Sequence, residues 1–212
     1  MKKAVSVVAA WLLVTSASTL ASDEHPIVDG DPERGQDLAG ACIACHGEVG
    51  NSDNPEWPNL AGQHARYHFE QLKAFQEGED RYDPQMEGQV AGLSEQDMKD
   101  LAVYYERQEH KVMGAGDGRE ALVERGKQIY MGGIPQRNVA ACIACHGPQG
   151  QGNPAADYPV VGGQWAAYLR EQLHAYQDGE RSNDREAMMR SLAENMSDED
   201  IEAVAEYMAG LH

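Results

Sequence analysis

All four cysteines of this 212-residue chain sit in two copies of one phrase. The stretch ACIACHG occupies residues 41–47 and returns at 141–147. On a helix, side chains at i, i+3 and i+4 share a face. Cys42, Cys45 and His46 therefore point one way, and Cys142, Cys145 and His146 repeat the arrangement. Two thiols and an imidazole so placed suit a flat macrocycle with two vinyl groups. The thiols bond to the vinyls while the imidazole binds the central iron from one side. Other chemistries fit less well. A zinc site wants four ligands, and each copy supplies three with no further recurring Cys or His. A redox dithiol needs neither the histidine nor a helical setting, and a structural disulfide leaves the histidine unexplained. The expectation is two covalently bound haem c groups, one per copy.

The duplication extends past the motif and sorts the remaining candidates. WPNLAGQHARYHFEQLKAFQEG (57–78) is answered by YPVVGGQWAAYLREQLHAYQDG (158–179), and GLSEQDMKDLAVYY (92–105) by NMSDEDIEAVAEYM (195–208). The offset drifts from 100 through 101 to 103, as small loop insertions produce. That period is too long for a solenoid, so two tandem domains of one fold follow. A thioether opposite the histidine stabilises reduced iron, and nine methionines are available. At the offset of 103, Met86 falls on Met189. Met98 and Met208 fall on Ile201 and Tyr105, Met196 falls on Leu93, and all three read as packing residues. Met113 lies in a linker and Met131 in an insertion. Met86 and Met189 are the candidate second ligands, with the adjacent Met188, which falls on Gln85, as the alternative in the second copy.

The same comparison sets aside other groups. His64, His68 and His174 fall on Trp165, Leu169 and Lys73, while His25, His110 and His212 lie near the termini or the linker. These six read as surface or packing residues. Pro58 and Pro159 follow His46 and His146 by 12 and 13 residues and can each offer a carbonyl to the imidazole N–H; simple turn chemistry is the competing reading. Arg81 and Arg181 are candidates to meet haem propionates, against ordinary solvated arginines.

Helices position these groups. Asp31 and Pro32 resemble an N-cap and first helical position before a helix over Glu33–Ala44. Residues 63–76 carry Tyr67, Phe69, Leu72, Ala74 and Phe75 in a helical pattern that ends at Gly78. Ser94 with Asp97, and Ser197 with Asp200, resemble capping boxes. Behind them Met98, Leu101, Ala102 and Tyr105 form one apolar stripe, repeated by Ile201, Val204, Ala205 and Met208. No alternating β pattern is evident. HKVMGAGDG (110–118) reads as a linker, and YMGGIPQRNVAA (130–141) as an insertion in the second copy.

Composition bounds the rest. With two Phe in the whole chain and a mean hydropathy of -0.59, each half has a thin apolar core, and a macrocycle is expected to fill much of it. Lys2 and Lys3, the apolar run Ala4–Val14 and Thr19-Leu20-Ala21 read as a signal peptide over 1–21. The run has eleven residues, where a membrane span needs about 20. No cysteine precedes Cys42, which argues against a lipid anchor. The expected mature chain starts near Ser22, is exported to the periplasm and enters no membrane directly. Without Lys2 and Lys3 it carries 15 basic and 35 acidic residues, a formal charge of -20. That balance excludes nucleic acid and anionic lipid as partners and favours basic protein surfaces, unless it serves solubility alone.

These residues resemble the cytochrome c4 family, the exported dihaem cytochromes of bacteria. The likeness covers residues 31–210 and rests on ACIACHGEVG and ACIACHGPQG, PNLAGQ and PVVGGQ, QLKAFQEG and QLHAYQDG, and Met86 with Met189. The resemblance implies an all-α chain of two tandem cytochrome c-like domains, over 22–109 and 119–212, whose haems face each other across a pseudo-twofold interface. It implies electron transfer between respiratory-chain donors, such as a cytochrome or quinol-oxidising complex, and a membrane-bound terminal oxidase. The dihaem subunit of flavocytochrome c sulfide dehydrogenase is similar in plan, which makes a flavoprotein an alternative partner. A dihaem peroxidase is a third reading, opposed by the recurring methionine.

Overall fold

A computed structural model describes residues 28–212, and the signal-peptide reading over 1–21 and His25 lie outside them. The described residues form ten α-helices with short 3₁₀ turns and isolated β-bridges in place of a sheet. In the first half, α1 (Pro32–Leu38), α2 (Ile43–His46), α3 (Ala65–Glu77), α4 (Pro84–Val90) and α5 (Glu95–Glu106) follow one another. The second half repeats them as α6 (Glu120–Gly132), α7 (Ile143–His146), α8 (Ala166–Asp178), α9 (Met188–Ala193) and α10 (Asp198–Ala209).

Local chemistry sets most boundaries. Asp31 caps α1 by accepting from the N–H groups of Glu33 and Arg34, with Pro32 at the first helical position. The single helix expected over 33–44 is instead broken by a 3₁₀ turn at Ala39–Ala41, which separates α1 from α2 and its motif. Gly78 and Gly179 end α3 and α8 in the left-handed conformation. Both capping boxes form, Ser94 with Asp97 and Ser197 with Asp200.

In each half the first long helix crosses the last, and glycine permits the crossing. A Cβ on Gly35 would lie 2.1 Å from the Asp100 carbonyl oxygen, and one on Gly126 would lie 2.0 Å from that of Ala203. The apolar stripe of α10 joins Ile129, Tyr130, Leu169 and Leu173 in one continuous core, whereas the first half has two smaller clusters, around Ala102 and around Leu101. Met98, Met196 and Met208 are buried packing residues, as expected. The expected insertion is a closed turn, bridged between Ile134 and Val139 and seated on the second core.

Candidate functional site

The two motifs open onto one cavity of about 1230 Å³ between the halves. Cys42, Cys45, His46 and Met86 line one side of it, and Cys142, Cys145, His146 and Met189 the other. All four cysteines are free thiols, with no disulfide between them. Among the described residues no three His, Cys, Asp or Glu side chains converge as metal ligands, so the zinc alternative lacks a donor set. Burial pushes the Cys42 thiol up and the Cys142 thiol up to about 11. Such thiols are neutral and apolar-facing, unlike the low-pKa thiolates of redox dithiols.

Each histidine is held from behind. His46 Nδ1–H donates to the Pro58 carbonyl at 2.9 Å, and His146 Nδ1–H to the Pro159 carbonyl at 3.0 Å. With the proton on Nδ1, the Nε2 lone pair is free for a metal. Burial pushes both imidazoles below their ordinary value, opposed by the same carbonyl bonds, and so favours the neutral, ligating form. Met86 is on the first turn of α4, fixed by Asp83, which accepts from the N–H groups of Gln85 and Met86. Met188 and Met189 both line the cavity at the start of α9, and Met189 also packs on the second core.

The arginines differ from ordinary surface residues. Arg81 and Arg181 are buried between the halves and pair as an isolated β-bridge. Arg81 donates to Gln71, Tyr168 and Gln172; Arg181 donates to Gln172, Tyr67, Gln71 and Asn183. Arg81 stacks on Phe75 and Arg181 on Tyr176. Among the described residues no carboxylate lies within ion-pairing distance of either. Two buried cations without anionic partners, lining a cavity, fit a ligand that brings its own carboxylates. The buried Tyr105 hydroxyl, which lines the cavity, has no hydrogen-bond partner. The donor set, the cavity and the unmatched cations all fit two haem groups.

The comparisons with known proteins agree. The Cytochrome c family model matches residues 32–107 and 123–212. Cytochrome c4 from Azotobacter vinelandii is 41% identical over 209 residues, covering 94% of this chain and 98% of that protein. This chain belongs to the cytochrome c4 family. The crystal structure of reduced recombinant cytochrome c4 from Pseudomonas stutzeri superimposes with a TM-score of 0.83 at 40% identity, covering 87% of this chain and 100% of that one. A protein named thiosulfate dehydrogenase electron acceptor, from Stutzerimonas stutzeri strain A1501, is 35% identical over 206 residues, 95% of this chain and 94% of that one. As a cytochrome c4, the chain is an all-α dihaem electron carrier whose two Cys-x-x-Cys-His motifs each hold one covalent haem c. No helix among the described residues is long and apolar enough to cross a membrane.

Several residues set aside in the sequence have interface roles in this cytochrome c4. His64 Nε2–H donates across to the Gln151 carbonyl, and Trp165 Nε1–H, its counterpart, to the Ser52 carbonyl. The match of His to Trp hid a shared function, an N–H donor at the same reach. His110 is placed between the halves, its ring nitrogens each 3.0 Å from the carbonyl oxygens of Ala61 and Gly162. The segment read as a linker is tied to both halves through this ring. Gly62 and Gly163 make room for His110, since a Cβ on them would lie 2.8 Å from its Cβ and 2.6 Å from its ring Nε2. His68 is buried and donates to the Leu60 carbonyl, a packing role as expected.

Proposed function

We propose that the chain is a periplasmic shuttle in which His46 and Met86 ligate one haem iron and His146 and Met189 the other. The observation that carries this reading is the pair of carbonyl-anchored imidazoles, each lining a cavity that the recurring methionine of its own half also lines. Bound haem supplies a one-electron iron couple; the protein supplies ligands, burial and orientation. Pro58 and Pro159 hold the imidazole rings and raise their basicity. Met86 and Met189 would each supply a thioether as the second protein ligand to an iron, which would leave no open site for peroxide chemistry. Arg81 and Arg181, buried at the cavity without anionic partners, would meet the haem propionates and offset their charge. The reading divides the chain into a signal segment over 1–21, domains over 22–109 and 119–212, and a connecting segment over 110–118.

The acidic surface suits brief, salt-sensitive encounters with basic partners. A membrane-bound terminal oxidase is the proposed acceptor, and a cytochrome or quinol-oxidising complex the donor. A second donor is favoured by the relative named for accepting electrons from thiosulfate dehydrogenase, so a thiosulfate-oxidising enzyme is the alternative upstream partner. Nothing in the residues adds support for a flavoprotein.

An optical redox titration of the exported protein tests the core of the reading. The expected result is two haems per chain, low-spin in both oxidation states. Met86→Ala should lower the potential of one haem and leave the other nearly unchanged. Equal shifts in both, or none, would remove the ligand assignment.

A further inference from the structure

The peptide unit that supports each haem histidine is hydrogen-bonded at both of its ends. Pro159 C=O accepts from His146 Nδ1–H at 3.0 Å, and the N–H of that same peptide, on Val160, donates to Gln63 Oε1 at 2.9 Å. Gln63 comes from the other half. Its amide also donates through Nε2 to the Val160 carbonyl at 2.9 Å, so the clasp has two bonds. The mirror arrangement is present. Pro58 C=O accepts from His46 Nδ1–H, Asn59 N–H donates to Gln164 Oε1 at 2.9 Å, and Gln164 Nε2 donates back to the Asn59 carbonyl at 2.9 Å. Gln63 and Gln164 are both buried, where these bonds escape competition from water.

We propose that Gln63 and Gln164 are crossed positioning residues, each tuning the iron of the half to which it does not belong. Hydrogen bonds in series polarise one another. A bond donated by the peptide N–H makes the carbonyl at its other end a stronger acceptor. That draws the Nδ1 proton further from the ring, raises the basicity of Nε2 and stabilises oxidised iron. The potential of each haem therefore depends on contact with the neighbouring half, and loosening the interface raises both potentials.

This inference rests on His46 and His146 being iron ligands, and the test separates the two. In the reduced, diamagnetic protein each ligating imidazole contributes an Nδ1–H proton resonance shifted by the haem ring current. Two such signals in the unaltered holoprotein establish ligation before any variant is made; their absence sinks the ligand reading rather than the clasp. The signals are assigned to halves with Met86→Ala and Met189→Ala, and each is followed through a redox titration to read its own haem. Gln63→Ala is expected to move the His146 Nδ1–H resonance upfield and to raise the potential of the second haem. A roughly threefold change in the ferric-to-ferrous ratio, about 30 mV for a one-electron couple, is the expected scale. The first haem stays nearly unchanged, and Gln164→Ala does the reverse. Gln63→Met keeps the volume and should match Gln63→Ala. Equal shifts in both halves, a shift confined to the half that carries the substitution, or no shift would overturn the proposal. Should the variants lose haem, loss from the opposite half supports it, and loss from the same half or from both overturns it.

Discussion

The two halves share one plan yet rest on different materials. The second half packs a continuous apolar core around Ile129, Tyr130, Ile201 and Val204. The first splits its core into two clusters, and the halves bury polar groups at different positions, the second at Asp200 and Glu206. His68 is buried where the second half has Leu169, and Asp100 is fully buried where it has Ala203. Asp100 accepts from the N–H of Asp31 and from Gln96 and Arg34, which offsets the cost of burying its charge. A duplicated fold thus tolerates exchange of an apolar for a polar core residue where partners are built for it, as they are for Asp100 and for His68. The ligand loops differ as well. Asp83 and Pro84 start α4 conventionally, whereas Glu186 and Ala187 precede α9 at φ of 53° each, in the left-handed region.

The largest test of this contrast removes a haem from one half at a time. His46→Ala and His146→Ala should each halve the haem content by haemochrome assay. The loss of helical circular dichroism should be greater for His46→Ala, because the first half has less apolar core of its own. Equal losses would mean the split core is no weaker than the continuous one.

The next effect depends on pH. Burial pushes His68 down to about 4, against an ordinary 6.5, with the Leu60 carbonyl bond opposing. Between those values the unfolded chain binds a proton that the folded chain refuses. Stability is therefore full above about pH 6.5 and falls as the pH drops towards 4, by about 3 kcal/mol from this group. His68→Leu, which copies the second half, should flatten that part of the pH profile in guanidinium unfolding. An unchanged slope would show that His68 does not carry it.

Smaller effects test where the halves are alike. Gly35→Ala and Gly126→Ala should each cost about 1–3 kcal/mol, because both helix crossings leave no room for a methyl group. A clear inequality in denaturant midpoint would show that one crossing relaxes more easily. Smallest, Ser94→Ala and Ser197→Ala should each cost about 1 kcal/mol through loss of the cap. When the serine is removed Asp200 retains two arginines, Arg125 and Arg137, and Asp97 one, Arg34, so helix amide exchange should quicken more at the start of α5 than at the start of α10.

Much of the site was legible because it is local. Cys42, Cys45 and His46 share a helix face by spacing alone, and the carbonyl reach of Pro58 and Pro159 follows from a short loop. The capping boxes and the terminal Gly78 are likewise set within a turn of chain. Recurrence at a fixed offset picked out Met86 and Met189 without any knowledge of their contacts. The same reliance on identity failed for His64 and Trp165, which share a donor function but no side chain, and for His110, which has no counterpart because it sits between the halves. Arg81 and Arg181 were legible as candidates to meet propionates, against ordinary solvated arginines, but nothing in the sequence places them opposite each other across a buried seam.

The sequence by itself determined the cofactor chemistry, the helical class and the duplication, since these reside in residue types at short spacings and in a repeat visible along the chain. Only the tertiary structure decided how the halves meet: which glutamine reaches which peptide, where the buried guanidinium groups face, and that one cavity serves both motifs. Those contacts join residues about 100 positions apart. Their partners are fixed by the packing of whole helices, which no local pattern encodes.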